Sequence, residues 1–332
     1  MKRILVTGGC GFIGSCFVKD QVKKNNFVVN LDKMTYAANL KNIAEIAGDK
    51  NHYFVKGDIN DSALVSKLLE EFSIDWLVNF AAESHVDNSI NGPEIFITTN
   101  ICGTYSLLQS SLNYFKNLSA EKQNNFRFLH VSTDEVFGSL NENEPAFTAQ
   151  NRYQPNSPYS ASKAASDHLV RAWMETYKLP TIITNCSNNF GPNQHSEKLI
   201  PTIIRSALGG KEIPIYGNGK NIRDWIFVED HCAGIELALV KGKVGEIYLF
   251  GGENEIRNIE IAEMICKILD EINPKKDGAS YKSQIKFVTD RLGHDFRYAI
   301  DNKKSFAELG FKPSKSFKER IRETVFSNLT NQ

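Results

Sequence analysis

The sequence predicts an α/β protein built on a doubly wound parallel sheet, with a second, smaller and mixed α/β domain at its C-terminal end. Two observations support this prediction. Short apolar strands alternate with amphipathic helices as far as about residue 186, a pattern typical of a parallel sheet covered by helices on both faces. Beyond that residue the predicted elements become shorter and mix strands with helices, which indicates a change of architecture.

A glycine-rich turn follows the first apolar strand and opens the first helix. Gly8, Gly11 and Gly14 recur every third residue. Glycine there permits a tight turn and a close approach of the backbone to a pyrophosphate, whose charge the helix N-terminus favours. Asp32 ends the second strand about where an acid binds ribose hydroxyls, which favours NAD, while Lys33 beside it leaves NADP open. The turn therefore predicts a Rossmann-type domain that binds NAD.

Length and composition limit the remaining possibilities. The 332 residues suit one and a half to two domains, and we predict an NAD-binding domain over residues 1–186 and a mainly substrate-binding domain over 187–332. A strand and helix near 222–250 are expected to return to the first domain. Acidic and basic residues balance at 39 each, which argues against nucleic acid or a membrane surface as the partner and favours a small molecule.

Cysteine and histidine usage points to a cytoplasmic protein without a metal. The six cysteines are scattered with no C-x-x-C pair, as expected for reduced thiols, and the seven histidines show no metal-binding spacing. No apolar run approaches the roughly 20 residues that a membrane span requires. We therefore expect a cytoplasmic location and no metal site.

The candidate reactive residues lie between Phe128 and Lys163. The apolar run beginning at Phe128 ends in Asp134 and Glu135, as a buried parallel strand does when its carboxyl end opens into a site. Tyr159 and Lys163 are four residues apart on the next predicted helix and share a face, where an ammonium favours a phenolate. Each pair alone is more often structural. With a cofactor turn upstream, Tyr159 becomes a candidate base and the two acids become candidates for further proton transfers.

These residues resemble a known family, the extended short-chain dehydrogenase/reductases, and within it the nucleotide-sugar 4,6-dehydratases. The cofactor turn and the Tyr159–Lys163 pair are similar to motifs shared across the whole superfamily, whereas Thr133-Asp134-Glu135 resembles the dehydratase signature. Nearly the whole chain takes part in the resemblance. Further similar segments are residues 32–36, 81–87, 187–192, 197–201 and 223–225. Departures from the family pattern are Phe137, Phe190 and Leu292.

The resemblance implies that the enzyme converts dTDP-glucose to dTDP-4-keto-6-deoxyglucose and water, in deoxysugar biosynthesis such as that of dTDP-rhamnose. Tyr159, assisted by Lys163, would take the proton of the sugar 4-hydroxyl while Thr133 holds that oxygen. Glu135 would remove the proton at C5, and Asp134 would protonate the departing 6-hydroxyl, which requires a raised pKa. NAD would be tightly bound and recycled, and a homodimer is expected.

The resemblance and the motifs together predict two sets of contacts. The predicted NAD contacts are Gly8, Gly11, Phe12, Ile13, Gly14, Asp32, Lys33, Thr35, Asp58, Ile59, Phe80, Ala81, Ala82, Ser84, Thr99, Tyr159, Lys163 and Asn189. The predicted substrate contacts are Ser84, Thr133, Asn188, Lys198, Leu199, Pro214, Tyr216, Arg223, Asn258, Arg291 and His294.

Three alternatives remain open at this point. A UDP- or CDP-glucose 4,6-dehydratase would share every motif, because base selection depends on the shape of the pocket. A nucleotide-sugar 4-epimerase would use the same tyrosine and NAD but would need no acid pair. A catalytically idle NAD-binding regulatory protein would keep the cofactor without turnover.

Overall fold

The protein is organised around a seven-stranded parallel sheet. The computed structural model describes residues 1–313 and 316–330. The strands in this part of the chain are β1 (Arg3–Thr7), β2 (Phe27–Asp32), β3 (His52–Lys56), β4 (Trp76–Asn79), β5 (Arg127–Thr133), β6 (Thr181–Cys186), β7 (Asn188–Phe190), β8 (Ile213–Tyr216), β9 (Ile222–Phe227), β10 (Ile247–Phe250), β11 (Glu255–Arg257) and β12 (Ile285–Val288). The large sheet has the order β10-β6-β5-β4-β1-β2-β3, and each neighbouring pair is parallel.

Helices cover both faces of this sheet. The α-helices in the described part of the chain are α1 (Phe12–Lys23), α2 (Ser62–Glu71), α3 (Val86–Asn91), α4 (Glu94–Phe96), α5 (Gly103–Lys116), α6 (Ala120–Asn125), α7 (Pro158–Tyr177), α8 (Leu199–Leu208), α9 (Val228–Lys241), α10 (Asn258–Ile272), α11 (Lys303–Leu309) and α12 (Phe317–Thr330). Alternate residues of β1 point to opposite faces. Ile4 and Val6 join a core with α1 and α9, whereas Leu5 joins a core with α2, α5 and α7. The predicted doubly wound fold is confirmed.

The order of the strands places a crevice at the centre of the sheet. Chain order runs outward in one direction from β1 to β3 and in the other from β4 to β6, so the connections leave β1 and β4 towards opposite sides. Ligands of such sheets bind at this switch point, beyond the carboxyl ends of the strands. The glycine turn after β1 and the acid pair after β5 both lie at this edge.

A smaller mixed α/β region follows. In it β9 pairs in parallel with β7 and antiparallel with β11, and β12 pairs with β8. Helices α8, α10 and α12 share a separate apolar core with these strands. β10 returns to the edge of the large sheet beside β6, whereas β9 does not. The domain boundary near residue 186 stays a prediction.

The helical stretch after β4 is interrupted. Between α4 and α5, residues Ile97–Cys102 form a π-helical turn, which holds one more residue than a regular α-helical turn. This turn lies beside α7 and brings Asn100 into the interior. Within the described residues, no helix combines the length and apolar character that crossing a membrane requires.

Candidate active site

One cavity collects the residues predicted to bind the cofactor. It opens at the carboxyl ends of β1, β2, β4, β5 and β6, where the switch point places it. Every predicted NAD contact lines it, namely Gly8, Gly11, Phe12, Ile13, Gly14, Asp32, Lys33, Thr35, Asp58, Ile59, Phe80, Ala81, Ala82, Ser84, Thr99, Tyr159, Lys163 and Asn189. The role of each residue stays a prediction.

The glycine turn packs so closely against the backbone around it that side chains at Gly8 and Gly14 would not fit. Gly8 has a φ of 71°, and a Cβ added to it would lie 2.8 Å from the nitrogen of Ala81. A Cβ on Gly14 would lie 2.3 Å from the carbonyl oxygen of Gly8. Helix α1 begins directly after the turn with no side-chain cap and no acid in its first turn. Its N–H groups are therefore suited to bind phosphate, so the turn fits a dinucleotide.

Asp32 and Lys33 are held in different ways at the end of β2. The Asp32 carboxylate accepts hydrogen bonds from the backbone nitrogens of Cys10 and Met34, each at 2.8 Å. Lys33 instead forms an ion pair with Asp58, with 2.7 Å between Nζ and Oδ2. A fixed carboxylate repels the additional phosphate of NADP, and the lysine charge is already paired. The geometry fits NAD.

The acid pair occupies the turn after β5. Thr133 is the last residue of the strand, and Asp134 opens a 3₁₀ turn. The Thr133 hydroxyl accepts a hydrogen bond from the nitrogen of Glu135 and donates one to Oδ1 of Asp134, both at 3.3 Å. Asp134 is only 2% exposed. Because the three residues are consecutive, the chain itself keeps their functional groups together.

The surroundings of the two acids differ. Burial raises the pKa of Asp134 well above its usual value, and the charges of Glu135 and Asp224 raise it further. This direction agrees with the requirement for a proton donor. Burial also raises the pKa of Glu135, but the positive charges of Arg291 and Lys198, among others, oppose that shift. The pair thus provides one carboxyl that favours its neutral form and one that nearby cations help to ionise.

Helix α7 presents Tyr159 and Lys163 to the same cavity. The helix starts with a capping box between Ser157 and Ser160, which fixes its first turn. Tyr159 and Lys163 are both buried and both line the cavity, as their spacing predicts.

The electrostatics of this pair differ from the expectation. Nζ of Lys163 donates to the carbonyl oxygen of Val131 at 2.9 Å and lies 3.2 Å from Nε2 of His130. The pKa of Tyr159 is raised well above its usual value by burial and then by the nearby acid Glu135. The expected lowering of this pKa by Lys163 is therefore not what the structure shows, because desolvation and the carboxylates outweigh the ammonium.

The predicted substrate contacts fall into three groups. Ser84, Thr133, Asn188 and Lys198 line the cavity. Tyr216 and Arg291 contact Asp87: the Tyr216 hydroxyl donates to Asp87 at 3.2 Å, and Nη1 of Arg291 lies 3.8 Å from its carboxylate. The His294 ring lies 6.2 Å from that of Tyr216, and its Nδ1 lies 2.6 Å from Oδ1 of Asp290. The remaining four, Leu199, Pro214, Arg223 and Asn258, are not among the cavity-lining residues that the structure describes.

Arg223 is buried close to the acids but is already anchored. Its guanidinium donates to the carbonyl oxygens of Asp295 at 2.8 Å and Ile222 at 2.7 Å, and it stacks 4.3 Å from the ring centre of Tyr298. The positive charge of Arg223 nevertheless acts to lower the pKa of Glu135. Arg223 thus contributes a fixed positive field, and its contact with a diphosphate stays a prediction.

Several residues of the site were not among the predicted contacts. Glu83, Cys186, His195 and Glu197 line the cavity, although of these four only Glu83 and Glu197 lie in segments that resemble the family. Asn100 holds the loop after β4: it accepts from the nitrogen of Glu83 at 2.9 Å and donates to the carbonyl oxygen of Glu83 at 3.0 Å and to the hydroxyl of Ser162 at 2.8 Å. Asp167 had a usable signal, since it lies one helical turn beyond Lys163 on the same face.

No cluster of three or more histidine, cysteine, aspartate or glutamate side chains suited to a metal occurs in residues 1–313 and 316–330. All six cysteine thiols are unpaired.

Comparison with known proteins agrees with this geometry. The family model described as GDP-mannose 4,6 dehydratase matches residues 5–324. The chain belongs to this family. The predicted resemblance to the nucleotide-sugar 4,6-dehydratases is thereby confirmed.

Individual members of the dehydratase family match over the full length. The dTDP-glucose 4,6-dehydratase of Xanthomonas campestris pv. campestris (strain B100) is 55% identical over 332 residues, which are 100% of this chain and 94% of the relative. The structure of DesIV, a dTDP-glucose 4,6-dehydratase from Streptomyces venezuelae with NAD and TYD bound, matches with a TM-score of 0.90 and 42% identity over 99% of this chain and 97% of that one. The dTDP-glucose 4,6-dehydratase of Bacillus anthracis in complex with NAD matches with a TM-score of 0.88 and 41% identity over 100% and 97% of the two chains.

Proposed function

We propose that this chain is an NAD-dependent dTDP-glucose 4,6-dehydratase, a hydro-lyase that forms dTDP-4-keto-6-deoxyglucose and water. The observation that carries the proposal is the placement of the acid pair Asp134 and Glu135 beside Tyr159 in the cavity that the glycine turn also lines. Full-length relatives at 55% identity with this name support the same substrate.

The chain provides the groups that would hold the cofactor. The turn from Gly8 to Gly14 would bind the pyrophosphate, Asp32 the adenosine ribose, and Lys163 with Tyr159 the nicotinamide side. When bound, NAD supplies the redox chemistry, in which a hydride leaves C4 of the sugar and later returns to C6. No external oxidant is consumed, so one molecule of NAD serves many turnovers.

The proton transfers belong to the residues of the chain. Tyr159 accepts the proton of the 4-hydroxyl, while the hydroxyl of Thr133 holds that oxygen. The 4-ketone acidifies the proton at C5, which Glu135 removes. Asp134, kept protonated by burial and by its neighbour, gives its proton to the leaving 6-hydroxyl. Glu135 finally returns a proton to C5, and water is the only product besides the sugar.

The nucleotide end of the substrate carries negative charge, and the structure places three positive charges close enough to act on Glu135. Lys198 lines the cavity and donates to the carbonyl oxygen of Ser84 at 2.7 Å. Arg291 and Arg223 act on Glu135 together with Lys198. We propose that these three residues, with Asn188, Asn258 and His294, hold the diphosphate and the nucleoside.

The acid pair also distinguishes the proposed reaction from that of a 4-epimerase. Epimerisation needs only transfer of a hydride and of the hydroxyl proton, so Tyr159 would suffice. Burial and the charge of Glu135 raise the pKa of Tyr159 and hinder its ionisation. Acids that hinder ionisation of the base Tyr159 would be a disadvantage in an epimerase. In a dehydratase, Asp134 and Glu135 have a role of their own, in the elimination step.

We also propose that the protein works in the cytoplasm as a homodimer. Six unpaired cysteines suit a reducing compartment. Helices α5 and α7 expose an aromatic surface in which Tyr105 packs against Trp173 and Trp173 against Tyr177. Exposed apolar patches of this kind mark protein interfaces. Tyr105→Lys should yield a monomer in light scattering. The control Tyr53→Lys, at an equally exposed tyrosine outside this surface, should leave the dimer intact. A dimer that persists in Tyr105→Lys would refute the proposed surface.

The proposed reaction is tested by incubating the purified protein separately with dTDP-, UDP- and CDP-glucose without added NAD. The alkali-induced absorbance of a 4-keto-6-deoxy sugar should develop fastest with dTDP-glucose. A faster signal with UDP- or CDP-glucose would reassign the base. A product that keeps its 6-hydroxyl would identify an epimerase, and no turnover even with NAD supplied would favour a binding protein.

A further inference from the structure

A connected group of polar side chains lies behind the proposed active site, between the central sheet and α7. We call Ser132, His130, Tyr153, Lys163 and Asp167 the buried network. Asp167 is 2% exposed, Lys163 is 4% exposed and His130 is fully buried. Polar groups at such depth cost free energy unless they are paired with one another, so their arrangement requires an explanation.

Asp167 is the acceptor at the centre of the buried network. Its Oδ2 accepts hydrogen bonds from the hydroxyl of Ser132 at 2.8 Å, the hydroxyl of Tyr153 at 2.9 Å and Nδ2 of Asn185 at 3.3 Å. Its Oδ1 lies 3.5 Å from Nε2 of His130. Burial raises the pKa of Asp167 to about 6, whereas the Lys163 charge and the three donors on Oδ2 oppose this rise. The Asp167 carboxyl is therefore ionised at neutral and higher pH.

His130 connects this charge to Lys163. The hydroxyl of Thr7 donates to Oδ1 of Asn79 at 2.6 Å, and Nδ2 of Asn79 lies 3.1 Å from Nδ1 of His130. On the other side of the ring, Nε2 lies 3.2 Å from Nζ of Lys163 and 3.5 Å from Oδ1 of Asp167, so His130 stands between the two charged groups. Burial, followed by the Lys163 charge, holds the pKa of His130 well below its usual value, so the ring stays neutral.

Lys163 lies one helical turn before Asp167 on the face of α7 that also carries Tyr159. Burial lowers the pKa of Lys163 to about 8, and the charge of Asp167 opposes this effect. The other titratable groups packed around the pair are Cys186 from β6, Tyr153 and Tyr159. Burial raises the pKa of each of them, so they are neutral at physiological pH. The negative charge that faces the ammonium is therefore that of Asp167.

We propose that Asp167, oriented by Ser132 and Tyr153, is a positioning residue that keeps Lys163 in its ammonium form during turnover. The proposal rests on the proposed function, in which Lys163 must carry a positive charge beside Tyr159 and the nicotinamide ribose. Asp167 does not touch the reacting atoms and acts through Lys163.

The test follows the amine of Lys163 directly. Holoenzyme labelled with ¹⁵N at lysine Nζ is titrated by NMR, and Lys163→Met identifies the signal. In the parent protein the signal should titrate near pH 8. Asp167→Asn should lower this titration by about 1 unit or more, as expected for loss of an adjacent opposite charge. The control Glu175→Gln, which removes an exposed carboxylate further along α7, should leave it unchanged.

Steady-state kinetics provide a second reading. The kcat of the parent should fall as pH rises through about 8. In Asp167→Asn this fall should occur at a lower pH, displaced by as much as the titration of the Lys163 amine. The KM for dTDP-glucose should change little, and Asp167→Glu should return the fall in kcat to the pH of the parent. A merely structural role would lower kcat equally at every pH.

Two outcomes would overturn the proposal: a parent Lys163 that titrates near the ordinary value of about 10.4, or a titration that Asp167→Asn does not move. If that variant does not fold, the Ser132→Ala/Tyr153→Phe double variant replaces it. That variant removes two donors from the carboxylate and should shift the amine in the same direction, and no shift would again refute the proposal. The NMR titration does not depend on turnover, so failure of the proposed reaction would be recognised separately.

Discussion

Replacing Asp134 by asparagine tests the proposed division of labour most directly. The side chain is almost completely buried, and burial is the largest cause of its raised pKa, followed by the charge of Glu135. The protonated carboxyl is therefore favoured at neutral pH and can give a proton to the leaving hydroxyl. Asparagine has nearly the same shape but has no acidic proton to give. The substitution removes the chemistry and leaves the packing.

The expected effect differs between the two halves of the reaction. General acid catalysis contributes about 10²–10⁴-fold, and elimination should slow by a factor in this range. Oxidation at C4 should not slow, because Tyr159 takes the proton of the 4-hydroxyl in that step. A neutral amide then replaces a carboxyl that is already neutral, so the substitution removes no charge from beside Tyr159. The variant should therefore accumulate the 4-keto sugar that still carries its 6-hydroxyl.

Rapid quenching followed by mass spectrometry measures both steps in one experiment. Reduction with borodeuteride marks the trapped 4-ketone, and the near-ultraviolet absorbance of NADH reports the cofactor. In the parent, elimination should fall as pH rises through the raised pKa of Asp134, since a carboxylate cannot donate a proton. Asp277→Asn, at an exposed position, serves as the matched control. An Asp134→Asn variant that eliminates at the full rate would refute the acid role.

Three further substitutions test the neighbouring parts of the site. Glu135→Gln should abolish exchange of the C5 proton with deuterium oxide, and retained exchange would exclude Glu135 as the base. Gly8→Ala should lose bound NAD and should lower the melting temperature by more than Gly278→Ala does. Both glycines have a φ of 71°, a left-handed conformation that costs an alanine about 1–2 kcal/mol, but only at Gly8 would the new Cβ also lie 2.8 Å from a backbone atom of Ala81. Equal losses of melting temperature in the two variants would argue against this close approach. Asp32→Asn should reduce the preference for NAD over NADP in binding titrations by at least about 10-fold, since a hydrogen bond to a charged group contributes about 1.5–3 kcal/mol; an unchanged ratio would leave the preference to other residues.

The features that the sequence predicts well depend on neighbours in the chain. The turn around Gly8 lies between a strand and a helix, and the Tyr159–Lys163 pair follows helical spacing, so both can be recognised within a few residues. The alternation of strands and helices likewise determines a parallel sheet. Thr133, Asp134 and Glu135 are consecutive at the end of β5, so the two acids lie together irrespective of the rest of the fold. These features were predicted correctly because their geometry is local.

The features that the sequence does not reveal arise from distant contacts. His130 lies inside an apolar run and would pass for a core residue, yet its ring bridges Asn79 and Lys163. The direction of the Tyr159 pKa shift could not be obtained from helical spacing, because burial and the acids after β5 decide it. The sequence did not reveal which strand near 222–250 joins the large sheet, because that depends on pairing with β6, about 60 residues before β10: β10 pairs with β6 and β9 does not.

The π-helical turn at Ile97–Cys102 has a consequence for engineering this scaffold. One surplus residue there allows Asn100 to face the loop after β4 and α7 together, with Ser166 donating to its carbonyl oxygen at 2.7 Å. Deleting a single residue, such as Thr98, would restore an even helical repeat but would rotate one flank against the other by about 100°. Chimeras that exchange α5 between relatives should therefore have their junctions outside this turn. The number of residues in the turn sets the rotation of the helical segment before it relative to the segment after it.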